Sequence, residues 1–201
     1  MGVGPSPSCS KSTYERIIAA WILPATVILA ISGTPGTGKS ALGRVLRSKG
    51  WNVLELNLFA QEHGLLGAMD RKRRTRAVDP KALDKAVLEG KLSGDVALIG
   101  HLAHLLTVDK IIVLRCRPSV LEIRLKDRGY AQSKVRENLE AEGCDVILVE
   151  ALDRSHEVYE IDTSERTPEQ AAEAVAEILA GEKEKYAPGH IDWSEEVLSW
   201  Y

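Results

Sequence analysis

The chain has 201 residues, 44% of them hydrophobic, and its 26 Lys and Arg against 29 Asp and Glu leave a net charge of −3. That length and balance describe one α/β-sized globular domain needing no disulfide or metal staple, and they exclude a protein given over wholly to coating nucleic acid. Cys9, Cys116 and Cys144 show no Cys-x-x-Cys spacing, so a reduced, cytoplasmic setting is expected and a zinc site is not.

Residues 1–26 read as an N-terminal extension. Its start, MGVGPSPSCSKST, is small, polar and Pro/Gly-rich, and is expected to be disordered. The run IIAAWILPATVILAIS that follows falls short of the about 20 residues that span a bilayer, and Pro24 interrupts it. Its second half is needed as a strand, so no membrane attachment is expected.

Beyond the extension, short apolar runs alternate with helical periodicity, the pattern of a parallel sheet covered by helices. Strands are expected at Val27–Ser32, Trp51–Leu56, Val96–Ile99, Lys110–Arg115 and Glu157–Asp162. The first helix spans Lys39–Ser48 and is closed by Gly50. Asp79-Pro80 opens another, with Asp as cap and Pro at the first helical position. Pro118–Arg128 is a third, ended by Gly129, and residues 132–153 read as one long helix. Thr167-Pro-Glu-Gln170 is a capping box whose helix runs to Gly181. The tail, 182–201, holds a turn and a short helix whose Trp193 and Trp200 are expected to pack on the core.

Between the first strand and the first helix lies GTPGTGKS, which satisfies G-x-x-x-x-G-K-[ST] at Gly33, Gly38, Lys39 and Ser40. Glycines let successive N–H groups converge on an anion, and the helix starting at Lys39 adds its free N–H groups and positive dipole end. Lys39 is placed to reach the β- and γ-phosphates, and the Ser40 hydroxyl to bind Mg²⁺. GTPases, transport ATPases and small-molecule kinases all use such a loop, and the insertions choose among them. The chain has no NKxD guanine-reading segment. It has instead an insertion at 57–94 and an arginine-dotted helix pair at 117–140, the layout of nucleoside monophosphate kinases. The expected fold is a P-loop nucleoside monophosphate kinase: a five-stranded parallel sheet in the order 2-3-1-4-5, helices on both faces, an acceptor-binding insertion and a lid at 127–140. The domain itself runs over 27–181.

The segments ISGTPGTGKSALGRVL, GHLAHLL, IIVLRCRPSVLEIRLKDRGY with KVRENLEAE, and HIDWSEEVL carry a more specific likeness, covering essentially residues 27–200. The sequence resembles the archaeal adenylate kinases related to the eukaryotic nuclear adenylate kinase, isoenzyme six, a group with a second role in small-subunit ribosome maturation. The resemblance implies ATP as donor with Mg²⁺, AMP as acceptor, and a lid beginning near Asp127. It places Gly33, Gly36, Thr37, Gly38, Lys39, Ser40 and Ala41 along the ATP phosphates and makes Arg128 the lid arginine. It also implies a small-subunit platform protein and pre-rRNA as partners, for a monomer or weak dimer.

Phosphoryl transfer needs alignment and positive charge around the moving group. Lys39, Arg124 and Arg128 are the residues expected to supply it, with Arg115 a further candidate. Arg124 and Arg128 share a helix face, although pairing with Glu122 or Asp127 on a solvated surface is the competing reading. In VALIGHLAH the acid that the family carries at the end of the third strand falls on Ile99, while His101 is kept as a phosphate or water contact. Asp95 lies at the wrong end of that strand and Asp162 ends another, so no other carboxylate is expected to replace it. Slow turnover is the expectation, and an ATP-binding assembly factor with slow hydrolysis is the alternative function; a shikimate- or cytidylate-type kinase is a third. The basic run Arg71–Arg76 is left open between acceptor phosphate, RNA contact and plain solvation.

Overall fold

The computed structural model describes residues 27–70, 75–90, 92–154 and 157–200. The N-terminal extension and residues 71–74 of the basic run lie outside them.

Strand β1 (Ile28–Ser32) leads through the glycine loop into α1 (Lys39–Ser48). β2 (Asn52–Glu55) runs directly into α2 (Leu56–Glu62), and a hairpin of β3 (Leu66–Asp70) and β4 (Thr75–Val78) precedes α3 (Pro80–Glu89). Then come β5 (Val96–Ile99), β6 (Lys110–Arg115), α4 (Pro118–Asp127), α5 (Gln132–Gly143), α6 (Val146–Leu152), β7 (Glu157–Asp162), α7 (Pro168–Ala180) and α8 (Ser194–Leu198). The main sheet has the order β2-β5-β1-β6-β7, all neighbours parallel, which is the expected 2-3-1-4-5 once the hairpin is set apart.

The central strands β1, β5 and β6 are apolar along their middles because both faces are covered, with polar residues only at their ends. On one face Leu29, Ile31, Ile112 and Leu114 pack with Leu42 and Leu46 of α1 and Val175 and Ile178 of α7. On the other, Ala30, Leu98, Ile111 and Val113 meet Leu56 and Phe59 of α2, Leu83 and Val87 of α3, and Leu148 of α6. Caps fix the helix starts as the sequence leads one to expect. The Asp79 carboxylate accepts from the Lys81 N–H at 3.0 Å. The Thr167–Gln170 box closes in both directions, and Gly181 ends α7 in the left-handed region at φ 103°.

The structure corrects three expectations. Residues 132–153 are two helices, broken at Cys144 and Asp145, where Asp145 takes φ 55°. Glu142 and Asp145 both turn to the buried Arg115, and Val197 and Trp200 of the tail occupy the space that any side chain at Gly143 would need. A continuous helix would satisfy neither demand, and Asp is among the few residues that visit the left-handed region readily. Arg115 is the second correction. It is 1% exposed and bonded to Glu142, Asp145 and Glu160, so it braces the fold and is not a charge for the reaction. The third is Trp200, which lies over Gly143 of α5 and stays partly exposed rather than entering the central core.

Candidate functional site

The glycine loop closes over the carboxyl ends of the parallel strands, where ligands of open α/β sheets bind. Gly36 has φ 99°, and a Cβ there would stand 2.6 Å from Leu121 Cδ1, so the loop lies directly on α4. Gly38 has the same φ with nothing within 4 Å of its missing Cβ, leaving open space over the first turn of α1. Thr37 is buried and points inward: its hydroxyl donates to the Thr34 carbonyl at 2.9 Å, while the Thr163 hydroxyl donates to its carbonyl at 2.8 Å. The Thr37 N–H is also engaged, donating to the Thr34 carbonyl at 3.2 Å, so this residue shapes the loop from within. The Thr34 hydroxyl donates to Glu142 at 2.6 Å, which ties the loop to the end of α5.

Lys39 folds back over the loop, its ammonium donating to the Gly33 and Thr34 carbonyls at 2.5 and 2.9 Å. Burial pushes it from its ordinary 10.5 down to about 7, with Glu142 opposing and the Arg128 charge adding to the fall. An arriving phosphate would reverse that shift. Ser40 is exposed in the first turn of α1.

Two cavities flank the loop. The first, about 380 Å³, is bounded by Gly36, Thr37, Gly38 and Ala41, by Arg124, Asp127 and Arg128 at the end of α4, and by Thr163 and Arg166–Pro168 beyond β7. The second, about 230 Å³, holds Lys39, Ser40, Glu55, Asn57, His101, Arg128 and Tyr130. Gly36, Gly38 and Arg128 border both. Arg128 is exposed and has no ion-pair partner among the described residues.

Arg124 shares a helix face with Arg128 but not its freedom. Its guanidinium donates to the Thr163 and Ser164 carbonyls at 2.7 and 3.1 Å, binding α4 to the end of β7 at the wall of the first cavity. His101 lies in the second cavity, and burial followed by the charges of Lys39, His104 and Lys134 lowers its pKa, so it is neutral near pH 7. His104, three residues on, is committed to other partners. That side chain is 1% exposed and bonded to the Ser32 hydroxyl through Nδ1 at 2.8 Å and to Glu150 through Nε2 at 2.9 Å.

Glu55, Asn57 and Tyr130 are cavity residues that the sequence analysis missed. The end of β2 is expected one residue later, at Leu56, which hides that Glu55 closes the strand facing the loop. The i, i+3, i+4 spacing of Leu56, Phe59 and Ala60 is the signal that would have placed the helix after it. Ile99, also on the cavity wall, is 4% exposed and packs against Gly43 of α1.

Among the described residues no three His, Cys, Asp or Glu side chains are grouped to hold a metal ion by themselves. The donor set beside the loop, the Ser40 hydroxyl and the Glu55 carboxylate, is hard and sparse. It fits Mg²⁺, which keeps most of its waters and arrives with substrate phosphates. Among the described residues no helix is long and apolar enough to cross a membrane.

A phosphate loop set between two cavities on a 2-3-1-4-5 parallel sheet is the P-loop kinase fold. Solved structures agree: shikimate kinase from Bacteroides thetaiotaomicron superposes with a TM-score of 0.56 at 16% identity, covering 78% of this chain and 99% of that one. Deoxyadenosine kinase from M. mycoides gives 0.51 at 16% identity, covering 77% and 99%. The family model described as "AAA domain" matches residues 29–145. "Putative adenylate kinase" of Archaeoglobus fulgidus is 43% identical over 174 residues, 85% of this chain and 94% of the relative. Its namesake in Thermococcus kodakarensis is 40% identical over 179 residues, 87% and 98%. The chain belongs to this family of AAA-domain proteins.

Proposed function

We propose that the protein is a nucleotide kinase of adenylate kinase type, moving the γ-phosphate of ATP to AMP and yielding two ADP. One observation carries the reading: the two cavities meet on the phosphate loop at Gly36, Gly38 and Arg128, so two nucleotides bound there place their phosphates end to end. Curated relatives named for that activity support it.

In this reading the donor nucleoside occupies the first cavity, and the amides of Gly36 and residues 38–41 receive its phosphates at the start of α1. Lys39 swings from the Gly33 and Thr34 carbonyls to the β- and γ-phosphates. The Ser40 hydroxyl would hold the Mg²⁺ that accompanies the triphosphate, and that ion would supply neutralising charge at the phosphates. The AMP phosphate enters the second cavity beside His101, whose neutral ring hydrogen-bonds it without adding charge. One of its oxygens forms the bond to Pγ while the bond from Pγ to the β-bridging oxygen breaks, and ADP leaves with that electron pair. Arg128 spans the two sites and neutralises the equatorial oxygens of the moving group. Arg124 acts at a distance, fixing α4 so that Arg128 projects over the loop. Residues 127–140 serve as the lid in this reading, which Arg128 at their start, bordering both cavities, supports.

The ribosome-maturation reading rests on the resemblance alone, since four residues of its basic run lie outside the described ones and Arg76 is merely exposed on β4. Nucleotide analysis of purified protein with MgATP separates the readings. Adenylate transfer gives two ADP per AMP consumed and almost no phosphate release without AMP. Steady phosphate release indifferent to AMP would replace the kinase with an assembly ATPase.

A further inference from the structure

Glu55 is the acidic side chain in the wall of the second cavity, the one that also contains Lys39 and Ser40. It ends β2 and pairs in register with Ile99 at the end of β5. Register partners in neighbouring parallel strands point to the same face, here the face of α1: Ile99 packs on Gly43, and the Glu55 carboxylate stands 3.8 Å from Arg47.

A carboxylate beside a polyphosphate site is unfavourable unless a cation stands between them. The Arg47 contact does not satisfy that need. It is long, its arginine is half exposed, and the same guanidinium nitrogen donates to the Val53 carbonyl at 3.2 Å. Such pairs contribute little. Mg²⁺ carries a shell of waters that need anionic acceptors, and outer acceptors of this kind are worth about 10–100-fold in metal affinity.

We propose that Glu55 anchors the hydrated Mg²⁺ that arrives with the donor triphosphate, supplying from the end of β2 the carboxylate that Ile99 withholds at the end of β5. The proposal rests on the nucleotide-kinase reading. It makes Glu55 a positioning residue that favours ATP binding only when magnesium is present and opposes it, if anything, when magnesium is absent.

Calorimetric titration of ATP into the whole chain, once with Mg²⁺ and once with EDTA, tests it. For the parent, Mg²⁺ tightens ATP binding. Glu55→Gln, nearly isosteric at a side chain one-third exposed, is expected to fold and to lose about tenfold of that tightening. Its affinity in EDTA stays the same or improves, because a repelling charge is gone. Glu55→Asp withdraws the carboxylate by one methylene and gives an intermediate response, and Arg47→Gln leaves the Mg²⁺ response whole. A full parental response in either Glu55 variant overturns the assignment, as does Arg47→Gln reproducing the loss. A parent that binds no ATP under either condition would instead overturn the kinase reading.

Discussion

At the scale of single residues, the proposed chemistry turns on Lys39. Its ammonium sits near pH 7 in the nucleotide-free fold and near 10.5 in the unfolded chain. Two consequences have definite signs. Between those values the unfolded state binds more protons, so this lysine makes the empty protein more stable as pH rises from about 7 toward 10.5. Phosphates restore the charge, so ATP binding at pH 8 takes up protons, and the uptake fades below pH 7. Calorimetry in buffers of different ionisation enthalpy reads it directly; binding with no proton exchange at pH 8 would contradict the burial argument. Arg128→Ala should lower turnover about 100–1000-fold while leaving the melting temperature nearly unchanged, because its side chain is exposed and, in the proposed mechanism, acts on charge that develops in the transition state. Gly36→Ala drives a Cβ against Leu121 at a φ of 99°, and a loss of about 1–3 kcal/mol in urea unfolding is expected, with weaker nucleotide binding.

The elements are held to the loop by Arg115. From the end of β6 it bonds Glu142 at the close of α5 and Glu160 on β7; Glu142 in turn accepts from Thr34 of the loop, and Glu160 from the Gly189 N–H of the tail at 2.6 Å. Arg115→Leu leaves two buried carboxylates without their cation, and a loss of about 3–5 kcal/mol is expected. Urea unfolding measures it, and an unchanged midpoint would show that the network carries no weight. The same network explains where sequence reasoning stopped. Strands β5, β6 and β7 and the capped helices α3 and α7 were legible because their signals are local: apolar runs, Asp79-Pro80, the Thr167–Gln170 box. The break between α5 and α6 was not, because nothing near Cys144 announces it; it answers to Arg115 almost thirty residues earlier and to Val197 and Trp200 some fifty later. The hairpin of β3 and β4 offers only short, irregular alternation, so the insertion's shape was equally hidden.

At the scale of the whole molecule, the phosphate loop was legible in eight residues because each has a local reason, while the cavities on either side were not. The first is assembled from α1, α4 and the segment beyond β7, the second from β2, β5 and the turn after α4, and no spacing along the chain encodes that convergence. Arg124 illustrates the limit: its helical spacing matches Arg128, yet carbonyls contributed by Thr163 and Ser164 claim it. The central claim is that the two cavities are halves of one phosphoryl-transfer site joined at Arg128. A molecule of two adenosines linked through five phosphates reaches from one to the other, and its binding by calorimetry is the most direct test. The account predicts one molecule per chain, bound about 100-fold or more tightly than ATP; affinity no greater than that of ATP would mean that the two cavities do not act on one phosphate.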